Sequence, residues 1–147
     1  MKIFIISPGK AHDHTVADGI AEYHKRLDKR FDLAWAFLPV GEKQEEGAAI
    51  LKQIKKEDVV ILLDERGKDM DTPGLATLLD NHLQSGTKRL VFVIGGAFGV
   101  SDAVKARANL TLKLSSLVFP HMLVRLILIE QLYRAGTILA GGAYHHA

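Results

Sequence analysis

The chain contains no cysteine. That absence excludes a disulfide scaffold, an iron–sulfur cluster and thiolate catalysis. Long apolar runs are also missing. The longest stretch free of Asp, Glu, Lys and Arg is Ala135 to Ala147, well short of the ~20 apolar residues that a membrane span needs. At the start, only Ile3 to Ile6 is continuously apolar before Ser7-Pro8-Gly9, so no signal peptide is expected. There is no internal repeat, low-complexity segment or linker. A soluble cytoplasmic protein with no membrane partner is the expectation.

What is present fits one domain. The 147 residues match the ~100–200 typical of a single domain, so residues 1–147 are expected to form one unit. Hydrophobic residues make up 48% and charged residues 24%, a balance that supports a core without staples. Charge is uneven along the chain. Residues 1–34 hold six basic and five acidic side chains, residues 35–87 six and ten, and residues 88–147 seven and two, or +1, −4 and +5 in turn. A basic last part suits an anionic partner on that face, and equally a scattered solvated surface.

The pattern alternates strand and helix. Lys2–Ile6 reads as a first strand. Thr15–Phe31 follows as a helix, with Val16, Ile20, Tyr23, Leu27 and Phe31 on one stripe and Thr15 and Asp18 as its capping signal. Leu33–Leu38 reads as a strand and Gln44–Lys56 as a helix. Val59–Leu63 and Leu90–Ile94 are apolar at every position, as in parallel strands covered on both faces. Thr72-Pro73 supplies a cap and a first-turn proline for a helix to about Leu83. Ser101 caps a short helix to about Ala108. Leu110–Leu114 alternates with period two. A last helix runs from about His121 to Gly136 or beyond. This order implies a three-layer α/β domain with a mostly parallel sheet.

The last helix is apolar around nearly its whole circumference, from Met122 to Tyr133. A helix with no solvent face packs on both sides, which predicts a homodimer through it. Its charges stand out. Glu130 and Arg134 are spaced to pair at i, i+4. Arg125 has no local partner, leaving a distant structural partner or a functional role.

Three segments fall just beyond strand ends, where open α/β sheets bind ligands. They are Leu63–Lys68, Gly95–Gly99 and Leu114–Phe119. Gly95-Gly96-Ala97-Phe98-Gly99 is neither a dinucleotide fingerprint nor a Walker loop. It is a tight turn, a close approach to a ligand, or both. The histidines His12, His14, His121, His145 and His146 have no zinc spacing. They read as surface-loop and tail residues, with no metal expected.

Together, several motifs resemble the ribosomal RNA large subunit methyltransferase H family, a small SPOUT class. They are Leu63-Asp64-x-x-Gly67-Lys68, the Gly-Gly-x-x-Gly loop, Leu114-Ser115-x-Leu117 and Pro120-His121-x-Leu123-Val124-Arg125. Glu130-Gln131-Leu132-Tyr133-Arg134-Ala135 and Tyr144-His145 complete the set, and the resemblance spans the whole chain. It differs in Ala97-Phe98 within the glycine loop and in His146-Ala147 after Tyr-His. The resemblance implies an α/β knot whose C-terminal segment threads a trefoil. It implies S-adenosylmethionine as cofactor, held by Leu63, Gly95, Leu114, Ser115, Ser116, Leu117, Val118 and Phe119. The implied reaction is methylation of N3 of a pseudouridine in the decoding-region stem-loop of 23S rRNA, on the assembled ribosome and by a homodimer. His121, Tyr144 and His145 become candidates to manage the N3 proton or the uracil edge. Arg125 and Arg134 become candidates to stabilise an imide anion or hold phosphate, and the tail would act in the partner's site. The alternative from another class is a non-catalytic dimeric α/β RNA-binding or ribosome-associated module.

Overall fold

The computed structural model describes residues 1–96 and 98–142. The expected alternation of strands and helices forms, with boundaries moved by local hydrogen bonds. The elements in order are β1 (Lys2–Pro8), α1 (His14–Arg26), β2 (Asp32–Leu38), α2 (Lys43–Gln53), β3 (Val59–Asp69), α3 (Thr72–Gln84), β4 (Arg89–Ile94), α4 (Asp102–Arg107), β5 (Leu110–Lys113) and α5 (His121–Leu139).

The five strands form one sheet in the order β2-β1-β4-β3-β5, and every neighbouring pair is parallel. All the strands therefore end on one rim. Alternate residues of the apolar strands serve two separate cores. Ile3, Ile5, Ile61, Leu90, Phe92 and Leu112 pack with Val16, Ile20, Leu79, Leu128, Ile129 and Leu132 of α1, α3 and α5. Ile6, Val60, Leu62, Val91 and Val93 pack with Ile50 of α2 and Val104 of α4 on the opposite face. The layers are thus α1, α3 and α5, then the sheet, then α2 and α4. Double-sided burial explains why Val59–Leu63 of β3 and Leu90–Ile94 of β4 lack polar positions.

Several boundaries differ from the expected ones. The cap of α1 is Asp13, whose carboxylate accepts from the Thr15 amide at 3.1 Å. An Asp at N-cap reaches the second amide of the helix directly, so Thr15 and Asp18 lie inside it. The helix ends at Arg26 because Asp28 accepts from the Arg30 amide and from its guanidinium, each at 2.9 Å. Leu27 and Phe31 still reach the core, from a turn rather than a helical face. The helix α2 stops at Gln53, where the Asp58 carboxylate accepts from the Lys55 amide at 2.7 Å. Asp71, not Thr72, caps α3, accepting from the Gly74 amide at 2.8 Å. The Thr72 hydroxyl instead donates to Gln131 Oε1 at 2.7 Å, fastening α3 to α5. Ser101 caps α4 as expected, accepting from the Val104 amide.

The largest difference is in β3, which runs on to Asp69 rather than stopping at Leu63. Its pairing with β5 shifts register between Leu63 and Lys68. Asp64 to Gly67 therefore leave the ladder and project from the rim, as a bulge does. Gly67 is required there, since a Cβ would stand 2.6 Å from the Leu112 carbonyl carbon.

Candidate functional site at the carboxyl rim of the sheet

The three strand-end segments singled out in the sequence converge. Leu63–Arg66 at the register shift of β3, then Gly95, Gly96, Phe98, Gly99 and Val100 after β4, and Leu114, Ser115, Leu117, Val118 and Phe119 after β5 line one cavity of 470 Å³, joined by Val124 of α5. Parallel order explains this, because β4, β3 and β5 are consecutive neighbours and end on the same side.

Each loop is braced by its own short hydrogen bonds. The Asp64 carboxylate accepts from the Arg66 amide at 2.8 Å. Ser115 Oγ accepts from the Leu117 amide at 3.0 Å, so Ser115 shapes its turn. The Gly99 amide donates to the Gly96 carbonyl at 3.0 Å, and Gly99 takes φ +80°, a backbone conformation that glycine adopts without strain. Lys43, Arg66 and Lys105 line the cavity with Asp64 and Glu65, so both charge signs are present. Phe98, Leu117 and Val118, also in the lining, are 80%, 72% and 81% exposed.

Of the residues expected to hold a cofactor, Leu63, Gly95, Leu114, Ser115, Leu117, Val118 and Phe119 line this cavity. Ser116 is exposed and is not in the lining.

A second cluster, at the ends of β1 and β2, is built around Arg125. This side chain is wholly buried. Its Nε donates to Ser7 Oγ at 2.7 Å, Nη2 to the Pro8 carbonyl at 2.7 Å and Nη1 to the Lys10 carbonyl at 2.9 Å. Nη1 also lies 3.4 Å from His12 Nδ1, and the guanidinium carbon is 4.7 Å from the Phe37 ring centre. The missing partner of Arg125 is thus the end of β1 and the loop after it. A polar Ser7 directly after the apolar run Ile3–Ile6 was the available signal. His12 is not a free surface-loop residue as expected, because its ring packs edge-on against Trp35 and Phe37 at 4.5 and 5.0 Å.

His121 stands one turn before Arg125. A Cβ on Gly9 would meet its Nε2 at 2.9 Å, so this glycine admits the imidazole. Burial first, and then the Arg125 charge, lowers the pKa of both His12 and His121. Both rings are accordingly neutral at pH 7, and each keeps one nitrogen lone pair. Arg134 is not in this cluster. It pairs with Glu130 at 2.5 Å, as its spacing suggested, about 13 Å further along the helix at 1.5 Å per residue. Tyr144 and His145 lie outside the described residues.

Among the described residues no helix is long and apolar enough to cross a membrane, and no group of three or more His, Asp or Glu converges as a metal site would require.

A family model described as "Predicted SPOUT methyltransferase" matches residues 1–145. The proteins called ribosomal RNA large subunit methyltransferase H in Trichlorobacter lovleyi and Geotalea daltonii are each 42% identical, covering 99% of this chain and all of theirs. Their counterpart in Parabacteroides distasonis is 38% identical, with 99% of each chain covered. Likeness that runs from the first strand through the rim loops to the last helix leaves no part of the described fold outside the match, and the chain belongs to the SPOUT methyltransferase family.

Proposed function

We propose that the protein methylates N3 of a pseudouridine in the decoding-region stem-loop of 23S rRNA, using S-adenosylmethionine and acting on the assembled ribosome. The observation that carries this reading is the convergence of three strand-end loops on one cavity beside a buried arginine and two neutral histidines. The relatives' names support a ribosomal RNA substrate in the large subunit.

The cavity suits the cofactor. Its 470 Å³ falls within the ~300–1,000 Å³ usual for small-molecule sites. Asp64 and Glu65 match an ammonium or sulfonium, while Lys43, Arg66 and Lys105 match a carboxylate. Leu63, Gly95, Leu114 and Ser115 offer backbone donors and acceptors to an adenosine, and Leu117, Val118 and Phe119 offer apolar cover. When bound, S-adenosylmethionine supplies a methyl carbon already activated by its positive sulfur.

The chain's own part is alignment and proton handling. Alignment of two reactants is worth up to ~7–11 kcal/mol of barrier. Neutral His121 accepts the N3 proton, and the Arg125 charge beneath it stabilises the imide anion left behind. Arg134, further along α5, serves RNA phosphate. The tail residues Tyr144 and His145 belong to this reading as groups that complete the partner's site, and the trefoil threading belongs to it too. The homodimer forms through α5, whose Leu123 is 37% exposed. Light scattering at micromolar concentration is expected to give the dimer mass, and a monomer would remove that part of the proposal.

The deciding experiment incubates the protein with methyl-labelled S-adenosylmethionine and ribosomes from cells lacking the modification. Mass spectrometry then locates the label. Label on N3 of that pseudouridine is expected. No label, with a control enzyme active on the same ribosomes, would favour a non-catalytic RNA-binding module.

A further inference from the structure

The aromatic rings over Arg125 form a shelf that the proposed reaction leaves unused. Phe37 is the penultimate residue of β2 and is 36% exposed. It is nonetheless fixed on several sides. The Arg125 guanidinium lies 4.7 Å from its ring centre, the His12 ring meets it edge-on at 5.0 Å, and Trp35 lies near-parallel at 6.1 Å. A large apolar ring that is both exposed and immobilised is a stacking surface with its ordering entropy already spent. Arg125 can only donate, so His12 Nδ1 accepts its hydrogen bond and the imidazole hydrogen sits on Nε2. The shelf therefore presents the exposed part of the Phe37 ring beside the His12 ring.

Its place also fits. β1 is hydrogen-bonded to β4, so the shelf at the ends of β1 and β2 and the cavity at the ends of β4, β3 and β5 lie along the same rim of one sheet. One turn of α5 serves both, with Val124 in the cavity lining and Arg125 under the shelf.

We propose that this shelf receives the acceptor base, an unpaired pyrimidine of RNA, which stacks on the exposed part of Phe37 while His12 Nε2 donates to a base carbonyl. The inference rests on the rRNA methyltransferase reading above. Base–aromatic stacking is tolerant of base identity and contributes mostly to affinity. Phe37 and His12 are thus binding residues, distinct from the proton-handling His121.

Phe37→Leu keeps apolar packing over Arg125 but removes the aromatic face, and Phe37→Tyr keeps the face. Methyl-transfer rates over a range of ribosome concentrations are expected to show KM raised about tenfold in the Leu variant and near wild type in the Tyr variant. Affinity for S-adenosylmethionine by calorimetry is expected to stay within about threefold in both, reporting an intact fold. An unchanged KM in the Leu variant, or an equal rise in both variants, overturns the shelf while leaving the methyltransferase reading standing. If the wild-type protein transfers no methyl, that reading fails by itself. The shelf is then judged by fluorescence of Trp35, the chain's one tryptophan. Oligouridylate RNA is expected to quench it in the wild type and not in the Leu variant, and absence of quenching overturns the shelf.

Discussion

Arg125 Nε donates to Ser7 Oγ at 2.7 Å, and neither residue exposes any surface. The bond joins the first part of α5 to the end of β1 across 118 residues of sequence. Carbonyls and a hydroxyl, rather than a carboxylate, hold this buried cation, and the Phe37 ring covers it. Removing the cation leaves the Pro8 and Lys10 carbonyls and Ser7 without their donor. Arg125→Ala is expected to lose about 3–5 kcal/mol of stability in urea unfolding. Arg125→Lys keeps the charge without the planar fork that reaches Ser7, Pro8 and Lys10 at once, so it should recover only part of the loss. Full recovery would show that charge alone matters there.

A largely buried ion pair sits at the opposite end of the strands. Arg89 of β4 donates to both Asp58 oxygens, at 3.0 and 2.5 Å, and Asp58 also accepts from the Lys55 amide. Burial by itself would raise the Asp58 carboxyl. The bonds from Arg89 and Lys55 outweigh burial and hold it below the ordinary value of 3.8. The native state therefore resists protonation more than the unfolded chain does. The stability this adds is present above pH 3.8 and lost as pH falls below it. Asp58→Ala is expected to cost about 2–4 kcal/mol, the value for a broken buried pair reduced for the partial exposure of Arg89. The variant should also show a weaker loss of stability on acidification, measured by thermal unfolding across pH 3 to 6.

Much of this architecture was legible because it follows from local pattern. Apolar β3 and β4 announced a covered parallel sheet, and the glycines after β4 announced a close turn. Parallel order then makes strand-end loops meet, so the cavity was within reach of the sequence. What was not legible depends on pairing between distant segments. Asp71 captured the cap position from Thr72, whose hydroxyl found Gln131 on another helix. Asp64–Gly67 left the β3 ladder because of a register shift against β5. Neither leaves a trace in hydropathy. The Arg125 site was hidden for the same reason, since its acceptors are mostly backbone carbonyls, which every residue possesses.

The register shift in β3 has a mutational signature. A Cβ on Gly67 would lie 2.6–2.7 Å from backbone atoms of Thr111 and Leu112, and a backbone ladder cannot swing aside as a side chain can. Gly67→Ala is expected to destabilise by about 2–4 kcal/mol and to displace Asp64–Arg66 from the cavity wall. Calorimetry should show weaker S-adenosylmethionine binding. Gly86→Ala is the control. That glycine has φ +74° but no atom within 4 Å of an added Cβ, so only backbone strain of about 1 kcal/mol is expected and binding should be unchanged.

The two histidines set the acid limit of the protein. Burial and the Arg125 charge lower the pKa of His12 and His121, against opposing effects of Asp13 on both and Glu46 on His121. In the unfolded chain each returns to 6.5. Below that pH the unfolded state binds more protons than the native one. Stability is therefore complete above pH 6.5 and declines as pH falls toward the lowered native values. Under the proposed reaction, activity should follow the same direction, because a protonated His121 has no lone pair to accept a proton from the base. The rate of methyl transfer is expected to be flat near neutrality and to fall on acidification, at a pH below that of a free histidine. His121→Gln removes the titrating group without introducing charge. Its kcat should drop by about 10²-fold or more, with S-adenosylmethionine affinity nearly unchanged and the acid limb gone. If the limb persists in this variant at the same pH, the proton passes to another group and His121 serves only to position the base.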